Sequence, residues 1–142
     1  MTEDAIPEGF VRAMRSSAYT SLAGPLYERR VDGDYRIGLR VDERHTNRRG
    51  FCHGALIALF ADVELGRVIG YSRTPRLETV TVNLDLSYMA PARLGDWLEA
   101  TGRIDRIGKR TAYSSGLILA NGVAVARAAG VFHLIGDTPR TA

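Results

Sequence analysis

The stretch from Gly54 to Gly70, GALIALFADVELGRVIG, constrains this chain more than any other part. Its spacing predicts one helix of about four to five turns. Apolar side chains occupy most of its faces, so most of its faces must be covered. It falls short of the roughly 18 apolar residues that mark a membrane span, and no other run reaches that length. On a helical wheel Asp62 has Ala58, Leu59, Leu65 and Gly66 as i±3 and i±4 neighbours, and none of them neutralises a carboxylate. Glu64 and Arg67 stand three apart and are expected to pair with each other, about 140–200° round the helix from Asp62. The helix thus carries one self-satisfied pair and one orphan acid. An unpaired buried carboxylate is expensive and usually has a function. The plainer alternatives are an Asp hydrogen-bonded by some distant polar group, or a helix with one solvent edge.

The flanks supply the cover. LYERRVDGDYRIGLRV reads as two strands about the turn signal Asp32-Gly33. LETVTVNLDLSYM sets Val80, Val82, Leu84 and Leu86 against polar partners with a period of two. WLEATGRIDRIG, RTAYSSGLILAN and VAVARAAGVFHLIG are three further strands, with the hairpin signal Asn121-Gly122 between the last two. Before them, Phe10, Val11, Met14 and Ala18 at helical spacing predict an N-terminal helix over about residues 6–23, ended by Gly24-Pro25. The expectation is an α+β domain in which a curved antiparallel sheet wraps one long helix. A length of 142 residues suits one such domain, with its core over about residues 26–136.

The helix start adds a second signal. In His53-Gly54-Ala55 the first-turn amides lack helical partners, and Gly54 lets a ligand oxygen approach the backbone closely, which makes an oxyanion-hole candidate. Asn47, Gly50, Cys52, His53 and Gly54, followed by Asp62, resemble the hotdog-fold acyl-CoA thioesterases, especially those of the phenylacetate-pathway type. The resemblance runs from about Tyr35 to Ile135 and includes LSYMAPARLGDWLEATGRIDRIGKR. This chain departs from the pattern at Ala55, where the family usually has a second Gly.

The resemblance implies hydrolysis of an acyl- or aryl-CoA thioester to free acid and coenzyme A, without a metal or other cofactor. It makes Asp62 the base or nucleophile and Gly54 the amide that polarises the carbonyl. Asn47 and His53 support that end of the site, and Thr81 orients water, with Thr79 as the weaker choice. Tyr88, Arg106, Gly108, Lys109 and Arg110 are the substrate-binding candidates. Arg103 completes the basic RIDRIGKR segment, whose plain reading is a solvated hairpin and whose functional reading is a seat for the anionic phosphates of coenzyme A.

Spacing adds a constraint. Gly54 and Asp62 lie about 12 Å apart along one helix, too far for one thioester carbon to engage both. Two antiparallel copies of the helix would bring Gly54 of one chain to Asp62 of the other, so a homodimer with two shared sites is expected. The family adds a dimer of dimers.

Two rivals stay open: an acyl-thioester hydratase or dehydratase on the same fold, and a non-catalytic acyl-CoA-binding protein. Three scattered histidines and one cysteine give no metal-ligand spacing. Cys52 is expected to be a packing residue rather than a thiol nucleophile, His45 a surface residue, His133 structural, and Trp97 a packing residue. The net charge of +3 is too small and scattered for nucleic acid. The acidic start MTEDAIPEGF lacks the regions of a signal peptide, so a cytoplasmic location is expected.

Overall fold

In the computed structural model, which describes residues 5–136, the apolar run forms one helix, α2, over Gly54–Gly70. The chain enters it from β1 (Val11–Arg12), α1 (Ala18–Ala23), β2 (Tyr27–Val31) and β3 (Asp34–Arg40). It leaves through β4 (Glu78–Tyr88), β5 (Trp97–Thr101), β6 (Arg103–Ile107), β7 (Thr111–Ala120) and β8 (Val123–Ile135). All strand pairings are antiparallel, in the order β1-β2-β3-β5-β7-β8-β4, with β6 also on β7. Two tight turns set the hairpin registers: Asp32 and Gly33 take φ of 49° and 80°, Asn121 and Gly122 take 48° and 83°. Positive φ at both central residues matches the twist of the strands they join.

The sheet curves round α2. From the helix, Leu56, Ile57, Phe60, Ala61, Leu65 and Ile69 are buried. They meet Ile37, Leu39, Leu98, Ala100, Ala112, Ile118, Ala126 and Phe132 from the strands. Fully burying a side chain such as Phe60 or Leu65 contributes about 1.5–3 kcal/mol, so the helix is held by its cover. This is the α+β arrangement the apolar run required.

Several expectations need correction. The N-terminal helix does not span residues 6–23: only Ala18–Ala23 is helical, and Val11–Arg12 pairs with Glu28 and Tyr27 instead. Phe10 is buried edge-on against Trp97, 5.2 Å between ring centroids, so tertiary packing overrides the helical spacing there. Met14, at 90% exposure, has no core face to serve. The segment WLEATGRIDRIG is not one strand. It runs along β7 as β5 and β6, broken at Gly102, whose missing side chain leaves room for Glu64 and Val68 beneath it. The alternation in β4 is also offset. A register shift between Thr81 and Asn83 leaves Val80 and Val82 exposed, at 51% and 63%, while Thr81, Leu84 and Leu86 line up opposite inward-facing Phe132, Gly130 and Ala128. At the end of the sheet order, β4 is an edge strand of 11 residues.

Candidate active site

The start of α2 is built by the loop before it. Asn47 Oδ1 accepts from the backbone N–H of Arg49 at 2.9 Å and of Phe51 at 3.2 Å, which folds Asn47–Phe51 into a tight turn. Cys52 then bridges to Thr46, and the His53 N–H donates to the His45 carbonyl at 2.7 Å. His53 caps the helix: its Nδ1 accepts from the Ala55 N–H at 3.0 Å, and its carbonyl accepts from Leu56 N–H at 3.0 Å. A neutral ring with Nδ1 as acceptor carries its proton on Nε2. With those amides filled, the Gly54 N–H has no acceptor among the described residues. It is the free donor at the positive end of the helix.

Tyr88, at the end of β4, donates its hydroxyl to the Gly54 carbonyl at 2.6 Å. Partial burial, then the nearby Cys52, raises the Tyr88 pKa, so the phenol stays a donor. A Cβ at Gly54 would stand 3.2 Å from the Tyr88 oxygen, so close contact here favours Gly.

Two turns on, Asp62 Oδ1 accepts from the Thr81 hydroxyl at 2.7 Å. Oδ2 has no donor among the described residues. Thr79 lies instead over Gly66, where a Cβ would be 3.6 Å from its Oγ1. Thr81 is therefore the hydroxyl that addresses the acid, and Asp62 is neither isolated nor deeply buried: it sits at the open β4 edge. Since α2 runs against β4, Gly54 lies near Tyr88 and Asp62 near Thr81. Within one chain the amide and the acid stay apart.

The basic segment is only partly near this edge. The register aligns Thr81, Phe132 and Ala112 in one row, so the turn holding Gly108, Lys109 and Arg110 begins about 10 Å from Thr81, two strand spacings away. That turn is closed by Gly108 N–H to Thr111 O at 2.8 Å, and Lys109 and Arg110 are exposed. Arg106 points elsewhere. It lines an outer depression of about 470 Å³ with Asn83, Asp85 and Tyr113, while Arg103 pairs with Asp105 at 3.2 Å.

Four other expectations can be compared. The predicted Glu64–Arg67 pair does not form. Glu64 is wholly buried, with Oε2 accepting from the Ile37 N–H at 3.1 Å and Oε1 unpartnered among the described residues. Burial pushes its pKa well above the carboxylate range, against the Ile37 hydrogen bond and the Arg67 charge. Arg67 turns to the Arg15 carbonyl at 2.6 Å and the Tyr35 hydroxyl. The true buried acid of the helix is Glu64, a distinction that i±3 spacing could not make. His45 is buried rather than at the surface, with Nδ1 accepting from Asp42 N–H at 2.9 Å and Nε2 against the Ala23 carbonyl. His133 is exposed, opposite Val80 and Thr111. Cys52 is buried and its thiol is pushed up to about 11, chiefly by burial, which disfavours the thiolate a nucleophile needs. Sequence reasoning missed Tyr19 and Leu22, which line a groove beside His53. Their only sequence signal was the Ser17–Thr20 capping pattern.

The chain as a whole is similar to known proteins. The family model of the thioesterase superfamily matches residues 49–126, more than half of the chain. A Pseudomonas aeruginosa protein named as a candidate esterase is 42% identical over 130 residues, covering 91% of this chain and 97% of its own. The mouse acyl-coenzyme A thioesterase 13 is 31% identical over 77 residues, about half of either chain. A Bacillus halodurans protein crystallised with coenzyme A superposes with a TM-score of 0.78 at 23% identity, covering 87% of this chain and 83% of that one, a likeness of fold. With the wrapped helix, the glycine helix start and the acid two turns on all in place, the chain belongs to the thioesterase superfamily.

Proposed function

We propose that this protein hydrolyses acyl-CoA thioesters, with Asp62 as general base and the Gly54 amide as oxyanion donor. The observation that carries the reading is the state of these two groups. Among the described residues, Gly54 N–H is the unfilled amide of the α2 first turn, and Asp62 offers one oxygen held by Thr81 and one left open. The open oxygen takes a proton from water as the water oxygen bonds to the thioester carbon. The carbonyl electrons move onto oxygen, where the Gly54 N–H meets the charge. They return as the C–S bond breaks, and the thiolate leaves to take up the proton. The name of the mouse relative supports a coenzyme A ester as substrate.

One chain supplies both groups but not in one place, so the site we propose is shared. The unpaired β4 edge, with exposed Val80 and Val82, is a template for a second strand. Antiparallel pairing of two β4 edges about a two-fold axis runs the two α2 helices in opposite directions. Gly54 of one chain then approaches Asp62 of the other. Lys109 and Arg110 suit the coenzyme A phosphates by their charge and exposure. Pairing of two such dimers completes the proposed assembly.

The test is a panel of acyl-CoA esters, with free thiol followed by a colour reagent, for the native protein and Asp62→Asn. Loss of the base should lower kcat by roughly 10²–10⁴-fold. Near-native turnover in Asp62→Asn would overturn the assignment.

A further inference from the structure

Beside the start of α2 lies a groove of about 320 Å³ that the catalytic reading leaves unused. One wall is α1, the other the first turn of α2. Resting on the hydrolysis reading above, we infer that this groove receives the acyl group of the thioester, and that the group is an uncharged apolar chain or ring rather than a carboxylated one.

Position comes first. His53 and Ala55 line the groove, and Gly54 lies between them. Gly54 itself does not line the groove, but its two sequence neighbours do, so the inferred site places the acyl carbon of a thioester held at this helix start beside the groove mouth.

Chemistry comes second. The apolar lining is Tyr19, Leu22, Ala23, Ala55 and Leu56. Three of its polar neighbours are already committed. Arg44 donates to the carbonyls of Leu22 at 2.8 Å and Gly24 at 2.6 Å, and its charge is met by Asp42 at 2.9 Å. His45 is held by Asp42 and Ala23, and the Thr46 hydroxyl by the Glu43 carbonyl at 2.8 Å. Among the described residues, His53 is engaged through Nδ1 with Nε2 unpartnered, and no arginine or lysine with an unpaired charge lines the groove to meet a carboxylate on the acyl group.

The third point is how α1 is held. It buries none of its own side chains and is secured by the Ser17–Thr20 capping box and by Arg44 and His45 on its last carbonyls. It thus keeps Tyr19 and Leu22 at 68% and 73% exposure beside the free amide, without needing them for its own packing. At about 30 Å³ per water-sized unit the groove takes about ten such units, enough for a six- to ten-carbon chain or a phenyl ring.

The experiment uses the full chain. Affinities for coenzyme A and its S-hexyl thioether would be measured by calorimetry, and kcat/KM for acetyl-, hexanoyl- and succinyl-CoA by thiol release. The variants are Leu22→Asp and Leu22→Trp, both at an exposed position that folding does not need, with Val123→Ala on the far hairpin as control. S-hexyl coenzyme A should bind about tenfold more tightly than coenzyme A. Leu22→Asp should abolish that gain and lower the hexanoyl-to-acetyl ratio about tenfold, Leu22→Trp should move the preference to shorter chains, and Val123→Ala should leave both ratios alone. Hexanoyl should be preferred to succinyl. If S-hexyl coenzyme A binds no better than coenzyme A, or the gain survives in both Leu22 variants, the groove assignment is overturned. Tight thioether binding through Leu22 with no ester hydrolysed would instead sink the hydrolysis reading and leave the groove standing.

Discussion

Replacing Glu64 by Gln tests how the central helix tolerates an acid with no water around it. Glu64 is wholly buried, one oxygen takes a single N–H bond from Ile37, and the other has no partner among the described residues. Burial, with Asp34 adding to it, raises the folded-state pKa well above the unfolded value. The sign follows from linkage. A carboxyl whose folded pKa is raised binds more protons in the folded state, so its stabilising contribution is complete below the unfolded pKa, about 4.3, and is lost as pH rises through the folded value. Inside that window one proton changes stability by about 1.4 kcal/mol per pH unit. For a chain of this size that moves Tm by about 3–6 °C per pH unit. Gln is nearly isosteric with protonated Glu and can still accept from Ile37 through its oxygen. Glu64→Gln should therefore match the native Tm near pH 4 and lie above it as the pH is raised from there to 8. The assay is thermal unfolding by circular dichroism across that range, at fixed salt and protein concentration. Taking the difference between variant and native protein cancels other titrations, including that of Asp42, which the Arg44 hydrogen bond holds low despite burial. Parallel pH profiles, or a Gln variant that melts lower at pH 8, would refute the reasoning.

Thr81→Val keeps the shape of the edge and removes the 2.7 Å bond to Asp62; kcat should fall about tenfold, with KM little changed, in steady-state thiol release. Val80→Lys combined with Val82→Lys places like charges along the exposed β4 edge; sedimentation should show a shift to monomer together with loss of hydrolysis, and an active dimer would exclude this edge as the interface. Arg110→Ala should raise KM for acyl-CoA and flatten its dependence on ionic strength, with kcat little changed, and a KM that stays put would make the turn a solvated surface.

The sequence by itself was enough for α2 and its bounds, because an apolar run of that length has one economical fate and the glycines at 54 and 70 bracket it. It was also enough for the two hairpin turns, because Asp-Gly and Asn-Gly adopt positive φ at low cost, and a spaced motif was enough to single out Asp62, Gly54 and Thr81 as candidates for the proposed site. Wherever local pattern and long-range packing competed, tertiary structure decided. Phe10 found Trp97, 87 residues away in sequence, and the expected N-terminal helix shrank to Ala18–Ala23. Glu64 and Arg67 are neighbours on any helical wheel. Yet the strand above gave Glu64 the Ile37 amide, and Arg67 reached the Arg15 carbonyl, so a predicted ion pair became a buried lone acid. His45 was drawn inside by the carbonyl of Ala23. The groove beside His53 exists only because Arg44 and His45 fasten α1 next to a helix start that lies more than thirty residues further along the chain. Periodicity and motif spacing report what a residue's near neighbours want, whereas burial and hydrogen-bond partners depend on which distant segments the curved sheet brings alongside.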